Sequence, residues 1–378
     1  VILPDNILPI VQKAISEFTR YPKLQRELRN LEEPVHILAI GKAAYQMALV
    51  AYRTLDPNQM QSCIILTKYG FYPPQIQPDF KPVILEAGHP IPDENSILHS
   101  CYILDWLKTI PTDESLVVLL SGGCSALFEI PREPHTLKEI IALNRVLLKS
   151  GLDIHQINQQ RKIYSLVKAG AAIEYFNGKQ IKVFVLSDVK GDDPAIIGSG
   201  PFYQKHISHC VIGNNQALLR QIASLLHRHR DFADLPIKVA HHFVDDDVRR
   251  FAHALAHYSQ TAPKGIYIFG GECSIRPRGT GSGGRLSQLA LEFALKISGM
   301  RKIQLIALAS DGNDNVPESA GAIVNQDSKQ KILDAGIDPE KACQEYNSFP
   351  ALVKAGLIID RYYTGCNVND IMLLFIEE

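Results

Sequence analysis

His36-Ile37-Leu38-Ala39-Ile40-Gly41-Lys42-Ala43-Ala44 reads as a buried strand, a glycine and the start of a helix. His36–Ile40 is short, aliphatic and without polar alternation, the pattern of a parallel strand covered on both faces. From Lys42 the helical spacing places Ala43, Ala44, Met47, Ala48 and Ala51 on one face. Outward from this unit the pattern repeats. Cys63–Thr67, Val83–Ala87, Leu116–Leu120 and Val183–Leu186 read as further buried strands, and Ile237–Ala240, Gly265–Phe269, Gln304–Leu308 and Gly356–Ile359 as a second set. Leu286, Leu289, Ala290, Phe293 and Ala294 form an apolar helical stripe. Strands alternating with helices imply an α/β fold with an open parallel sheet. The polar stretch His241–Ala262 is the expected boundary, giving domains 1–240 and 241–378, with tight connections that imply a cleft between them.

The chain has 378 residues, which also suggests two domains at roughly 100–200 residues each. Lys+Arg is 39 and Asp+Glu is 40, so no global charge draws the chain to nucleic acid or to an anionic membrane, and any polyanion must meet a local site. The seven cysteines, at 63, 101, 124, 210, 273, 343 and 366, are scattered and form no CxxC pair. This argues against a disulfide framework or a structural zinc site and for a reducing cytoplasm. No apolar run reaches membrane-span length, and Val1-Ile2-Leu3-Pro4-Asp5 lacks the basic region and apolar core of a signal peptide.

In open α/β sheets, ligands sit beyond the carboxyl ends of the strands, and five such ends carry unusual residues. At Gly41-Lys42 the N–H groups of a helix start and a lysine suit a phosphate or carboxylate; the spacing fits neither a Walker A loop nor GxGxxG, and an ordinary helix start is the bland alternative. Ser121-Gly122-Gly123-Cys124-Ser125 lets the backbone approach a ligand closely, or is a plain strand-to-helix turn. Cys124 has no local His to activate it as a nucleophile. Asp188, Asp192 and Asp193 place three carboxylates after one strand, as Mg²⁺ ligands, as a base, or as a solvated acidic loop. Asn214 and Asn215 are candidates for the same region. Gly270-Gly271-Glu272 is followed by Gly279, Gly281, Gly283, Gly284 and Arg285, a loop able to wrap phosphates with a planar cation at its end. A flexible hairpin tip would explain the glycines but not Glu272 or Arg285. Asp311 and Asp314 are further metal or base candidates, against a common Asp-Gly turn. His253 and His257, four apart without a third ligand, read as a surface helix.

Taken together, Gly41-Lys42-Ala43, Ala87-Gly88-His89-Pro90-Ile91-Pro92-Asp93, Leu120–Leu127, Asp188–Pro194, Gly198-Ser199-Gly200-Pro201, Gly270-Gly271-Glu272, Gly284-Arg285, Asp311-Gly312 and Asn367-Val368-Asn369-Asp370 resemble the glycerate 2-kinases of the MOFRL type, in the family's order and over nearly the whole chain. The resemblance implies an N-terminal Rossmann-like domain, a C-terminal α/β MOFRL domain and an active site in the cleft between them. It implies a cytoplasmic enzyme of serine and glyoxylate metabolism that phosphorylates the 2-hydroxyl of D-glycerate with ATP and Mg²⁺, with a homodimer as a permitted assembly. Lys42, Arg285 and Asp188 are then expected to be catalytic. Gly41, Ser121, Gly122, Gly123, Ser125, Gly271, Glu272, Gly283, Gly284 and Asn369 are expected to bind substrate or nucleotide, and Asp192, Asp193 and Asp311 the metal. The chain departs from the family at Lys168-Ala169-Gly170-Ala171-Ala172, where an arginine is absent, at the shortened Thr364-Gly365-Cys366-Asn367 loop and at Asn313-Asp314-Asn315. An NAD(P)H-dependent hydroxypyruvate reductase, or a diverged inactive binding or regulatory homologue, are the alternatives.

Overall fold

The structure, a computed structural model, describes residues 7–149, 154–275, 281–299, 302–316 and 318–377. The chain divides into two compact units: one holds Thr19–Asn214 with Gly365–Val368, the other the described residues up to Phe18, Asn215–Thr364 and the chain from Asn369 on.

The first unit is a six-stranded sheet of β1 (Val35–Ile40), β2 (Met60–Lys68), β3 (Val83–Ala87), β4 (Ser115–Leu120), β5 (Ile181–Leu186) and β6 (Ser208–Gly213), in the order β3-β2-β1-β4-β5-β6. Every pairing is parallel, and the order is that of the doubly wound dinucleotide-type sheet. β1 and β4 lie at its centre and are buried along their whole length, which is why their sequences are aliphatic without alternation. β3 and β6, at the edges, are buried only towards their carboxyl ends. The helix expected from Lys42 begins at Ala44 and runs to Thr54.

The second unit has a mixed sheet of β7 (Ile237–Val244), β8 (Gly265–Gly271), β9 (Ile303–Ala309), β10 (Ser319–Asn325), β11 (Ile358–Asp360) and β12 (Asp370–Ile376), in the order β11-β10-β9-β12-β8-β7. Only β7 and β8 pair in parallel; the other four pairings are antiparallel. The helix Arg285–Ile297 lays its expected stripe against this sheet, with Leu286, Leu289, Ala290, Phe293 and Ala294 all at 0% exposure. Each large side chain there contributes about 1.5–3 kcal/mol by leaving water.

The chain crosses between units at Asn214/Asn215, earlier than the 240/241 division read from the sequence. The helix Asn215–Arg228 belongs to the second unit, where Gln221 Nε2 donates to Ala14 O of the helix Ile7–Phe18. The polar stretch His241–Ala262 is no linker: it completes β7 and forms the helix Val248–Thr261, whose outer face carries the exposed His253 and His257. The strand expected at Gly356–Ile359 starts at Ile358, because Gly356, with φ +66°, ends the preceding helix Ser348–Lys354. Among the described residues no helix is long and apolar enough to cross a membrane.

Candidate active site

In the parallel unit, β1 leads on to one side of the sheet and β4 to the other, so a crevice opens between their carboxyl ends. The loops Gly41–Ala43 and Ser121–Ser125 stand at this point. Gly41 has φ +126°, and a side chain there would run into the Ser121 hydroxyl and backbone. Lys42 N–H donates to Gly122 O (3.0 Å) and Ala43 N–H to Ser121 Oγ (3.1 Å). The amides expected to cradle an anion are therefore spent joining the two loops, and Ser121, at 0% exposure, serves as their link. What the first loop presents is the half-buried Lys42 side chain.

Four side chains from four segments converge on the glycine pair. A Cβ on Gly123 would meet His89 Cδ2 at 3.2 Å and Lys42 Cγ at 3.3 Å. A Cβ on Gly122 would overlap the Asp188 carboxylate and the Asn367 amide. Asp188 follows β5, the strand next to β4, and Asn367 arrives on Gly365–Val368, which is tied into this unit where Tyr21 Oη donates to Gly365 O (2.6 Å). The result is one ammonium, one imidazole, one carboxylate and one amide around a backbone with no side chains in the way, an arrangement able to hold an anion and a hydroxyl together.

The other carboxylates of this loop shape it. Asp192, with φ +55°, accepts from Asn214 Nδ2 (2.5 Å), and Asp193 Oδ1 accepts the Ala195 N–H (2.9 Å). Ser125 Oγ lies 2.9 Å from Ser199 Oγ. Cys124 is fully buried, and burial pushes its thiol up to about 12, so it is no nucleophile.

A second cluster forms in the mixed-sheet unit, and strand register explains it. β12 runs antiparallel to β8 and β9, so its first residue, Asp370, sits opposite Gly271 at the end of β8 and Ala309 at the end of β9. Arg285, at the start of its helix, donates through Nε to Asp370 Oδ2 (3.0 Å) and through Nη1 to Glu272 Oε1 (2.5 Å). Burial works against the guanidinium charge, but Asp370 and Glu272 outweigh it and hold Arg285 protonated. Burial pushes the Asp370 carboxyl up to about 6 against the pull of Arg285. Asp314, a base or metal candidate on sequence, is instead the cap of the arginine's helix. Its two oxygens accept the Leu286 and Ser287 N–H groups, both at 2.8 Å, and burial pushes it up to about 7.

The glycines of this unit are explained by close packing. A Cβ on Gly271 would strike the Val244 backbone, one on Gly283 the Ser348 hydroxyl and one on Gly284 the Asp314 backbone and carboxyl. Gly279 lies outside the described residues. Asp311 Oδ1 accepts the Asn313 N–H (3.0 Å), and Asn369, with φ +66°, offers its carbonyl to Ser310 N–H (3.2 Å). Among the described residues no group of three or more His, Cys, Asp or Glu is placed to hold a metal.

Family models match residues 6–221 as "Domain of unknown function (DUF4147)" and residues 265–370 as "MOFRL family". The D-glycerate 2-kinase of Thermotoga maritima is 31% identical over 97% of this chain and 96% of its own. The chain belongs to the MOFRL-type glycerate 2-kinase family. Another relative, the glycerate 2-kinase of Pyrococcus horikoshii, is 31% identical over 92% of this chain and 89% of its own. The crystal structure of glycerate kinase from Thermotoga maritima superposes with a TM-score of 0.80 at 29% identity, covering 99% of this chain and 100% of that one.

Within this family member, sequence reasoning gave no role to His89, Asn367 or Asp370, although all three lie in motifs that it matched. Asn367 and Asp370 flank the entry to an apolar run, Ile371–Ile376, that reads as a strand.

Proposed function

We propose that this protein transfers the γ-phosphoryl group of ATP to the 2-hydroxyl of D-glycerate, giving 2-phosphoglycerate and ADP. The observation that carries the reading is the convergence of Lys42, His89, Asp188 and Asn367 on the bare glycine pair Gly122-Gly123. The glycerate 2-kinases to which the chain is similar along nearly its whole length support the choice of substrate.

Phosphoryl transfer demands little covalent help and much positioning and charge neutralisation. Lys42 supplies a compact positive charge for a phosphate oxygen, and Asp188 accepts the proton of the 2-hydroxyl as the bond to phosphorus forms. Arg285, kept charged and aimed by Asp370 and Glu272, has planar donors suited to phosphate oxygens. Mg²⁺ takes one or two carboxylates and completes its shell with phosphates and water, so the lack of a three-carboxylate cluster among the described residues is consistent with it. Asp192 and Asp193, adjacent on the turn after β5, would hold it, and when bound it would neutralise phosphate charge. The run Gly279–Gly284 spells GxGxxG, but it begins eight residues after β8 and not at its end, so it does not make the dinucleotide fingerprint that the reductase alternative requires.

Purified protein with ATP, Mg²⁺ and D-glycerate should release ADP and form 2-phosphoglycerate, identified by phosphorus NMR. NADH oxidation with hydroxypyruvate, without ADP release from glycerate, would overturn the reading.

A further inference from the structure

We propose that Arg161, with the hydroxyls of Ser125 and Ser199, forms the subsite that binds the carboxylate of a small 2-hydroxy acid. Arg161 Nη1 donates to Ser199 Oγ (3.1 Å), and Ser199 Oγ lies 2.9 Å from Ser125 Oγ. Ser125 is two residues beyond Gly123, the glycine flanked by Lys42 and His89. A guanidinium and two hydroxyls thus stand in a row beside the place where the reacting hydroxyl is expected. In a 2-hydroxy acid the carboxylate is bonded to the carbon that bears that hydroxyl, so the group holding it must be an immediate neighbour. A planar guanidinium matches a planar carboxylate through paired hydrogen bonds.

The surrounding backbone is built to bring the row together. Gly198, Ser199 and Gly200 all have positive φ, at 61°, 65° and 55°. A Cβ on Gly198 would meet Cys124 Cβ at 2.8 Å and Sγ at 2.9 Å, so only glycine allows this turn to approach the short helix Cys124–Leu127. Ala169 N–H donates to Ser199 O (2.9 Å) and Gly170 N–H to Gly200 O (2.8 Å), fixing the turn from the other side.

Of the two cations here, the second is committed to structure. Lys168 is 1% exposed; its Nζ donates to Ser125 O (2.7 Å) and Phe128 O (2.5 Å) and lies 3.7 Å from Glu129 Oε2. It anchors the turn that carries Ser125 and is closed off from any ligand. Arg161 is half-buried, so its charge is poorly solvated and still reachable. Burial lowers its pKa from the usual arginine value, a cost that a bound anion would relieve.

The proposal rests on the kinase reading only for which hydroxy acid is used, so binding and turnover are measured separately. By calorimetry on the full chain, wild type should bind D-glycerate and bind its neutral amide, glyceramide, far more weakly. Arg161→Met should weaken glycerate binding by about 10- to 100-fold and erase the preference over the amide, with Arg161→Lys in between and both variants melting near wild type. In turnover, KM for glycerate should rise while kcat and KM for ATP stay within about 3-fold. Arg161-dependent glycerate binding by a wild type that releases no ADP would uphold the subsite and sink the kinase reading. Unchanged glycerate binding in Arg161→Met, with weakened ATP or inorganic phosphate binding instead, would assign the arginine to a phosphate and overturn the proposal. So would a wild type that binds no 2-hydroxy acid, or an Arg161→Met protein that has lost its melting transition while Arg161→Lys binds glycerate no more weakly than wild type.

Discussion

Gly122→Ala should separate activity from stability. The added methyl would occupy space now held by the ends of the Asp188 and Asn367 side chains, on which it would fall well inside contact distance. To regain an ordinary carbon–oxygen separation of about 3.3–3.6 Å, both ends must retreat by more than about 1 Å. Both are tips of rotatable side chains, so the fold need only tolerate two displaced rotamers, roughly 1–3 kcal/mol together, and a fall in melting temperature of a few degrees. The chemistry has no such latitude: a displacement of about 1 Å in a positioned group costs on the order of 100-fold in rate. Gly41→Ala is the comparison. There the methyl would meet Ser121 backbone O at 2.5 Å and C at 2.8 Å, with φ at +126°, and no side-chain rotation relieves it. Steady-state ADP release and differential scanning calorimetry on both variants decide the matter. The expected outcome is a kcat for Gly122→Ala down about 100-fold with a melting point close to wild type, and a clearly lower melting point for Gly41→Ala. Near-normal kcat in Gly122→Ala, or a stability loss as large as that of Gly41→Ala, would refute the placement of Asp188 and Asn367 against this glycine.

Lys42→Met and Arg285→Met should each lower kcat/KM by about 100-fold or more; near-normal kcat/KM in either variant would remove that residue from the reaction. Asp314 is raised from 3.8 to about 7 by burial, so its proton is held more tightly in the folded protein, and its favourable contribution is full below pH 4 and is lost as pH rises through 7. The melting temperature should show that decline from pH 4 to 7, and Asp314→Asn should flatten it; an unchanged slope would show that the carboxyl titrates normally. Iodoacetamide at pH 8 should label the exposed Cys101 and spare Cys124 and Cys273, whose thiols burial pushes up to about 12; peptide mapping that finds Cys124 alkylated in folded protein would reopen its reactivity.

The parallel sheet was legible because its information is local. β1 and β4, at its centre, are short aliphatic runs bounded by turn residues, and burial on both faces leaves that signature in the sequence itself; β2, β3 and β5 carry it over part of their length. The mixed sheet was read only in part. β12 is one of its central strands, but in the sequence Asp370 stands only as the end of the matched run Asn367-Val368-Asn369-Asp370, and nothing local marks it as the first residue of a strand whose partners lie 61 and 99 residues earlier, at Ala309 and Gly271. β10 is Ser-Ala-Gly-Ala-Ile-Val-Asn, small because Gly321 lies against Ala307, and small residues carry little strand propensity. The same limit governs the sites. Sequence could place Lys42 beside a glycine loop, yet it could not show that the amides of Lys42 and Ala43 are used up on Gly122 and Ser121, 80 and 78 residues away. Nor could it show that Asp314 caps a helix beginning at Arg285. Residue types told which groups could do chemistry. Whether a given carboxylate does chemistry or caps a helix depends on which donor reaches it first, and those donors are supplied by long-range packing, which is why Asp188 and Asp314 look alike in the sequence and differ in the fold.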